Sequence, residues 1–519
     1  MKRLISKART WPVLQSALGG LIASAAALGA SELVAGFSSG LPSMLLAVGK
    51  LVIDYSPPAM EDFAINVFGT NDKLALIVGT IILSLVIGAL LGILAMRFYV
   101  LAGAGFAAFG ALGAFSAIRD PVYGPAASVF VAAVTAAVGI IVLGWLVFRR
   151  PRPTDRESYA PQTPMPRRTF LYRGGGLVAL AIGFAAAGRA LAERGKAVIL
   201  SREEVVLPRP SEFVDPPSPD KAMDVPGLDP LITPNDDFYR IDTALSIPKV
   251  DPDSWRLNVT GMVDRPYELT FEDLLGMETI ERYVTLSCVS NDVGGDLVGN
   301  AKWLGVPLRT ILNRAGVQEG ATQIVGRSVD DFTVGFRTEI AFDGRDALVA
   351  VGMNDEPLPF DHGFPARLVV PGLYGYVSAT KWLREIELTT WEGFNAYWIP
   401  RGWAKRAPVK TQSRIDIPQH LRTLPPGPAQ AAGFAWAPTR GIDKVECQIG
   451  DGPWKEARLG EALTKDAWRR WVFDFEAVSG NHTIRVRATD GTGETQTSKV
   501  HEARPDGATG YHTVSFGVR

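Results

Sequence analysis

Cysteine and histidine are both scarce in this chain of 519 residues, which has only Cys288, Cys447 and five histidines. Two thiols are too few for a disulfide scaffold of the secreted kind and for an all-cysteine zinc or iron–sulfur site. The histidines all lie in the second half, the first of them at His362. Apolar spans in the first half therefore cannot supply the paired axial ligands of a transmembrane haem, and no haem is predicted.

Net charge is also almost absent, at -1. Nucleic-acid binding needs a clustered basic face rather than scattered lysines and arginines, so we expect no nucleic-acid partner. The chain is too long for one hydrophobic core, which predicts several domains. Near residue 195 the composition changes, from a half rich in Ala, Leu, Gly, Ile and Val to that of an ordinary soluble protein.

The first half contains four long apolar runs, each near the ~20 residues that a helix needs to cross a bilayer. They cover roughly 13–36, 74–96, 98–118 and 125–148. The stretch 37–73 is apolar only in part and carries acidic residues, so we interpret it as an interfacial or re-entrant piece. Residues 1–150 are thus predicted to form an all-α transmembrane bundle of four helices. Few charges lie within the spans, which gives little support to a transport pathway.

Basic residues indicate the orientation of this bundle. They precede the first span and follow the fourth, and the positive-inside rule places both segments in the cytoplasm. An even number of spans is consistent with that placement. The basic residues in question are Lys2, Arg3, Lys7 and Arg9 before the first span, then Arg149, Arg150, Arg152 and Arg156 after the fourth.

Residues 151–195 combine a basic, proline-rich linker with a segment that resembles a twin-arginine export signal. Arg167 and Arg168 are followed by Thr-Phe-Leu and by a Gly/Ala-rich apolar run from Gly174 to about Leu191. The alternative is a fifth membrane helix whose arginines merely obey the positive-inside rule. Both interpretations carry the following chain outward, and we expect the segment to remain as an anchor because no convincing cleavage site follows it.

The second half begins with 196–232, which is rich in Pro, Glu and Asp and predicts an extended tether. From residue 233 to 410, strand-like alternation after Trp255 and before Cys288 is mixed with a capped helix start at Thr270, which predicts an α+β domain. Residues 411–519 contain short alternating strands separated by Gly- and Asp-rich turns, typical of an all-β sandwich. Cys447 falls in one of these strands, as core.

Three ordered blocks carry a family resemblance. The first runs from Cys288, at a strand end, to a Trp-x-Gly-x-x-Leu segment at Trp303. The second contains His362-Gly-Phe-Pro-Ala-Arg367, and the third is a Gly-containing turn that ends at Lys381. Together they resemble the sulfite oxidase family of molybdopterin-dependent oxidoreductases, and the match extends over about 233–519. The resemblance implies a sulfite-oxidase-type molybdopterin-binding domain over 233–410, followed by an immunoglobulin-like domain of the dimerisation type.

The resemblance also implies roles for particular residues. Cys288 corresponds to the thiolate ligand of molybdenum, a soft donor that suits a high-valent metal. Arg367 and Lys381 suit the cofactor's phosphate, since one offers a rigid fork of donors and the other a point charge. Taken alone, Cys288 would more often be a small core residue, and the two cations could be ordinary surface charges. The predicted cofactor-binding residues are Asp237, Phe238, Tyr239, Ser328, His362, Arg367, Ser378, Thr380 and Lys381.

The substrate is left open by the residues. Sulfite oxidases have arginines just after the ligand cysteine, whereas this chain has Asp292 there, so sulfite is in doubt. Tyr397 falls where the family keeps an active-site tyrosine, which would orient a substrate oxygen, although core packing is an equal interpretation. The Phe238-Tyr239 form resembles bacterial periplasmic members that act on methionine sulfoxide. The expected activity is two-electron oxygen-atom transfer on a small substrate, such as sulfite or a sulfoxide, at a cysteine-ligated molybdenum-pterin.

The partners and location follow from the same resemblance. Because no haem segment is present, electrons must pass to or from a separate carrier, a cytochrome or a quinone-linked protein. A homodimer is also expected. The predicted location is a bacterial cell membrane, multi-pass, with the C-terminal catalytic domain on the extracytoplasmic side. The alternative function is a membrane transport or interaction protein that carries a cofactor-free domain of this fold.

Overall fold

The computed structural model describes residues 2–38, 40–57, 60, 63–64, 67–68, 71–119, 123–147, 165–194, 202–218, 223 and 225–519. Within it the chain forms two compact units, Met1–Ala197 and Val198–Arg519. The proline-rich part of the predicted linker, 151–164, lies outside the described residues. So does the start of the predicted tether, at 196–201.

The first unit is helical, and five of its helices are long and apolar enough to cross a membrane: Trp11–Ala35, Asp72–Ala95, Tyr99–Ile118, Pro125–Val147 and Arg167–Leu191. Their bounds agree with the four predicted runs and with the export-signal-like segment. Within 37–73 the structure has a shorter helix of 12 residues. The helices are α1 (Lys2–Ala35), α2 (Met44–Tyr55), α3 (Asp72–Ala95), α4 (Tyr99–Ile118), α5 (Pro125–Val147) and α6 (Arg167–Arg194).

Small residues let α1 approach two neighbouring helices closely. A Cβ added to Gly20 would lie 2.0 Å from the carbonyl oxygen of Gly88 in α3, and one added to Gly92 would lie 2.1 Å from that of Ser16. Elsewhere on α1, a Cβ on Gly29 would lie 2.5 Å from the carbonyl oxygen of Ala181 in α6. Close backbone packing at glycine is typical of helices that associate within lipid.

The second unit begins with two sheets that build the predicted α+β domain. One has the strand order β2-β1-β10-β5-β6, and the other has β3-β4-β7-β8 with β9 beside β7. The strands are β1 (Arg256–Gly261), β2 (Tyr267–Thr270), β3 (Ile280–Ser287), β4 (Val298–Pro307), β5 (Gln323–Ser328), β6 (Thr333–Arg337), β7 (Leu348–Met353), β8 (Glu356–Pro357), β9 (Arg367–Val369) and β10 (Leu383–Thr389). The helices are α7 (Phe271–Leu275), α8 (Leu308–Ala315) and α9 (Gly375–Ser378), with 3-10 turns at Thr338–Ala341 and Phe360–His362.

Two further sheets share a second core in the C-terminal part of this unit. Their strand orders are β11-β13-β17-β16 and β12-β19-β18-β14-β15. The core between them includes Ile415, Trp471, Val445 and Ile484. The strands are β11 (Gln412–Ile417), β12 (Thr423–Leu424), β13 (Gly427–Trp436), β14 (Ile442–Ile449), β15 (Lys455–Glu456), β16 (Arg458–Leu459), β17 (Arg469–Ala477), β18 (Gly480–Asp490) and β19 (His512–Val518).

Several local predictions are confirmed. Thr270 caps α7 with a reciprocal capping box to Asp273. The strand predicted before Cys288 is β3, and the Trp303 segment leads into α8. Cys447 is fully buried in β14. At the coarser level, an N-terminal region of apolar helices precedes a sheet-rich unit, as expected.

Candidate active site

A cleft in the second unit brings together most of the residues singled out from the sequence. Its empty space is about 760 Å³, part of it open to solvent. The walls come from the segment before β1, the ends of β3 and β5, and the turns around β9 and α9. The residues of the cleft wall are Phe238, Tyr239, Ile241, Asp242, Thr243, Cys288, Ser328, Asp330, Phe332, His362, Arg367, Gly375, Tyr376, Ala379, Lys381, Trp382 and Trp398.

Cys288 follows β3 directly and is a buried, free thiol. Its backbone N–H donates to the carbonyl of Leu297 over 2.9 Å, so the loop from 288 to 297 is closed at its base. Burial raises the pKa of the thiol, while N–H groups of Ser290 and Val289 directed at the sulfur act in the opposite direction. A buried sulfur with donors aimed at it is arranged to be stabilised as a thiolate by a cation.

Arg367 lies at the start of β9 and is only 5% exposed. Its Nη1 donates to the carbonyl of His362 over 3.1 Å, and the guanidinium carbon lies 4.9 Å from the centre of the Trp303 ring. Burial lowers the pKa of Arg367 to about 10. Among the described residues no carboxylate pairs with this guanidinium. A buried cation without a counter-ion is costly, so the cleft is prepared to receive an anion.

Lys381 is held beside Arg367 by a carboxylate. Its Nζ donates to Asp242 Oδ2 over 2.6 Å and to the carbonyl of Asp361 over 3.0 Å. Asp242 also accepts from Nε of Arg240 over 2.9 Å. Burial lowers the pKa of Lys381 to about 8, although Asp242 opposes this shift. Lys381 and Arg240 therefore share one buried carboxylate, whereas Arg367 does not pair with it.

Aromatic rings and a histidine form one wall. His362 Nε2 donates to the carbonyl of Asn235 over 2.9 Å, and its ring meets Phe238 edge to face at 5.5 Å between centroids. Burial lowers the pKa of His362 to about 4, so the ring is neutral near pH 7 with Nδ1 unprotonated. Phe238 in turn stacks on Tyr239 at 5.2 Å. Burial and the nearby Cys288 raise the pKa of Tyr239, which keeps its hydroxyl protonated.

Four of the residues singled out from the sequence lie outside this wall. Asp237 is exposed in the turn before Phe238. Ser378 donates to the carbonyl of Tyr374 over 3.0 Å, within the turn of α9. Thr380 is fully buried, and its Oγ1 has no hydrogen-bond partner among the described residues. Tyr397 packs behind the wall, with its ring 5.6 Å from Phe332 and the guanidinium carbon of Arg401 3.8 Å above it.

The position of Asp292 differs from the one predicted from the sequence. The sequence places this carboxylate four residues after Cys288, and we expected it beside the metal. Its side chain is exposed and does not line the cleft. Asp292 begins a turn that is closed by the Gly295 N–H, which donates to the Asp292 carbonyl over 2.9 Å. Repulsion from Asp292 is therefore no reason to exclude an anionic substrate.

Sequence reasoning missed several wall residues. Asp242, Asp330, Phe332, Tyr376, Trp382 and Trp398 line the cleft without having been singled out. Trp398 follows Tyr397 directly and Asp242 lies two residues after Arg240, so both were next to recognised blocks. Nothing in the residue types alone distinguishes a buried carboxylate such as Asp242 from an exposed one.

The metal-binding side chains of the cleft suit a metal whose other ligands come from a cofactor. Across the described ranges, no three His, Cys, Asp or Glu side chains are grouped so as to hold a metal ion. A single thiol can complete a metal site only when other ligands come from elsewhere, as with the sulfurs of a pterin dithiolene. The buried, uncompensated Arg367 supplies the matching feature, a cation for the cofactor's phosphate.

Comparison with known proteins identifies the domain. Residues 244–398 match the model of the oxidoreductase molybdopterin binding domain. Residues 244–398 are therefore a molybdopterin-binding oxidoreductase domain, similar to that of the sulfite oxidases. Its cofactor is accordingly a molybdopterin, and the interpretation as a cofactor-free domain is set aside.

Two relatives illustrate the range of this family. Mitochondrial sulfite oxidase from Homo sapiens is 28% identical over 49% of this chain, and nitrate reductase [NAD(P)H] from Hordeum vulgare is 34% identical over 49%. The chain spans 55% and 36% of their respective lengths, about half or less. Among solved structures, the sulfane dehydrogenase SoxCD from Paracoccus pantotrophus aligns with 60% of this chain and 88% of that one, at 24% identity and a TM-score of 0.49.

Proposed function

We propose that this chain is a membrane-anchored molybdenum oxidoreductase that transfers an oxygen atom to or from a small substrate outside the cytoplasm. The observation that carries the proposal is the pairing of a lone buried thiol, Cys288, with a buried guanidinium, Arg367, that lacks a carboxylate. The guanidinium is costly to bury without a counter-ion, and the thiol has N–H donors aimed at its sulfur, so one cofactor with a metal and a phosphate would suit both.

Six residues of the cleft wall have a proposed role toward that cofactor. Cys288 would ligate the metal, while Arg367 and Lys381 would bind the phosphate. Phe238, Tyr239 and His362 would line the pterin. When bound, the molybdenum centre supplies two-electron oxygen-atom transfer at the substrate. Asp237, Ser328, Ser378 and Thr380 remain weaker candidates, and of these only Ser328 borders the cleft.

The chain's own residues control protons and water around the site. The Tyr239 hydroxyl keeps its proton and can donate to an oxygen in the cleft. The His362 ring is neutral, and its Nε2–H donates to the Asn235 carbonyl. This hydrogen bond holds the ring in place beside the pterin, so His362 has a structural role rather than one in proton transfer. Phe332, Tyr376 and Trp398 also line the cleft, where their large side chains would limit the space for water. Tyr397 supports Phe332 and Trp398 from behind, at 5.6 and 5.1 Å between ring centroids.

The charge of the cleft favours a neutral or weakly charged substrate. The relatives' names specify sulfite and nitrate, both small oxyanions. Here Lys381 is already paired with Asp242, Arg367 is assigned to the phosphate, and a second acid, Asp330, borders the cleft. Few cations remain for a dianion such as sulfite. A small sulfoxide or amine oxide fits this balance and the aromatic wall better.

Location and partners complete the proposal. The five apolar helices support a membrane anchor, and many large side chains of α3 are exposed, among them Leu83 at 60%. The two sheets of 411–519 support an immunoglobulin-like sandwich, the type of domain through which a homodimer would form. A separate cytochrome or quinone-linked protein would exchange single electrons with the site.

Metal analysis of the purified protein tests the proposal. We expect about one molybdenum per chain from the single thiolate site, and its loss in Cys288→Ser. Cys447→Ser is the matched control, since that thiol is buried in the sandwich core and should leave the metal in place. Dimethyl sulfoxide and trimethylamine N-oxide should be reduced with a dye donor faster than sulfite is oxidised with a dye acceptor. Protein free of molybdenum from a host that makes the cofactor would refute the proposal.

A further inference from the structure

The tip of the Cys288 loop is held by the C-terminal sandwich. At its base the loop is closed by its own bonds, from the Cys288 N–H to the Leu297 carbonyl and from the Leu297 N–H to Asn291 Oδ1 over 2.8 Å. Gly294 and Gly295, at the tip, instead contact two side chains that belong to β11 and β19. The metal-ligand loop and the sandwich are thus in direct contact within the second unit.

Arg414 in β11 reaches the loop with a fixed guanidinium. Its Nη1 donates to the carbonyl of Gly295 over 3.2 Å. Nε pairs with Asp416 over 2.6 Å and Nη2 pairs with Asp229 over 2.8 Å, while the side chain is only 7% exposed. The two carboxylates fix the orientation of the Arg414 guanidinium. Its hydrogen bond to Gly295 therefore restrains the loop, because the guanidinium cannot move with the loop.

His512 in β19 supports the adjacent residue from the side. Gly294 has φ +83°, and a Cβ there would lie only 2.2 Å from Cδ2 of the imidazole. The ring is itself held, because its Nδ1 accepts the N–H of Ile415 over 2.9 Å. Burial, and then the charge of Arg414, lower the pKa of His512 to about 4, so the ring is neutral and its proton is on Nε2. The loop therefore rests against a rigid surface.

We propose that Arg414 and His512 are positioning residues, which hold the loop in the conformation that presents the Cys288 sulfur to the metal. The inference rests on the proposed function, in which Cys288 is the ligand. A metal ligand must be held within about 0.5 Å of its productive position, and a loop closed only at its base does not provide that restraint. The sandwich then contributes to the site itself, in addition to any part it plays in assembly.

Thiol labelling of the full-length apo-protein in detergent tests this inference. The chain has two cysteines, so peptide-resolved mass spectrometry of maleimide labelling reports both. Cys447, fully buried in the sandwich core, reports loosening of the sandwich, and Cys288 reports the loop. In Arg414→Gln and His512→Ala we expect Cys288 to be labelled about tenfold faster, because a buried hydrogen bond or a packed ring is lost, with Cys447 unchanged.

Val445→Ala is the matched control, since it removes core volume from β14 far along the chain from the loop contacts. It should leave Cys288 labelling unchanged. In cofactor-loaded protein, the two loop variants should also shift the electron paramagnetic resonance signature of the metal, and Val445→Ala should not. Unchanged Cys288 labelling, or a parallel rise at both cysteines, would overturn the inference. The metal content of the unmodified protein is measured separately, so failure of the proposed function is distinguishable.

Discussion

Lys381 and Asp242 are two charges that the fold removes almost entirely from water, with side chains 9% and 5% exposed. Their attraction offsets the cost of burying each one, but it does not turn the pair into a large source of stability. Breaking such a pair is different, because one charge is then buried without compensation. The pair is therefore a sensitive test of how the cleft is built.

Asp242→Asn should lower the stability of the apo-protein at pH 7 by about 3 kcal/mol, through the uncompensated lysine. The unfolded chain holds the Lys381 proton up to its ordinary pKa of 10.5, whereas the folded chain releases it near 8. Between these values the unfolded state binds more protons, so stability rises with pH across that window. In Asp242→Asn the rise should begin at lower pH, because the carboxylate that raises the lysine pKa is gone.

Urea unfolding at a series of pH values, followed by tryptophan fluorescence, measures this. The double variant Asp242→Asn with Lys381→Met is the control, since it removes both charges and should recover most of the loss at pH 7. Equal instability of the single and double variants would show that the lost energy comes from shape rather than charge.

The same pair shows what the sequence could and could not predict at this scale. Arg367 and Lys381 lie at fixed positions within recognisable blocks, so their place in the cleft was predictable. Asp242 was not, because its importance comes from a contact with Lys381, 139 residues further along the chain. Asp292 shows the converse error, since closeness in sequence to Cys288 does not bring its side chain into the cleft.

At the level of elements, the apolar runs gave the helix bounds of the first unit but not their packing. Length and hydropathy determine whether a helix can span a membrane, and both are local properties. Which face meets which neighbour depends on small residues spaced along two helices. Gly88 and Gly92 in α3 have that role against Gly20 and Ser16 of α1, and only the structure distinguishes them from other glycines of the same helix.

Gly92→Val should separate α1 from α3 and destabilise the helical unit by about 1–3 kcal/mol, because any Cβ there meets the Ser16 carbonyl oxygen at 2.1 Å. Gly79→Val is the matched control, since nothing lies within 4 Å of a Cβ at that position in the same helix. Thermal unfolding in detergent, followed by circular dichroism at a helix wavelength, compares the two. A Gly79 variant as unstable as the Gly92 variant would point to a general intolerance of valine in α3.

For the whole molecule, the question is whether the second unit folds before or after it crosses the membrane. Under the proposed function, a domain that receives its cofactor in the cytoplasm would cross the membrane already folded. The sequence alone left two interpretations of α6, an export signal or an ordinary span. In the structure Arg167 also lies 4.4 Å from the Trp11 ring of α1, a contact that suits either interpretation.

Replacing both Arg167 and Arg168 by lysine distinguishes an export signal from an ordinary membrane helix. Lysine keeps the positive charge that the positive-inside rule requires, but the twin-arginine signal needs the arginine pair itself. We expect the C-terminal unit of this variant to stay in the cytoplasm, measured by its resistance to protease added outside spheroplasts. Arg173→Lys is the control: Arg173 lies 4.6 Å from the Trp145 ring, a similar contact outside the pair, and its variant should be exported with molybdenum bound. If the double variant also delivers a molybdenum-loaded domain to the outer face, α6 is an ordinary membrane helix, and the order of folding and export must be explained by another route.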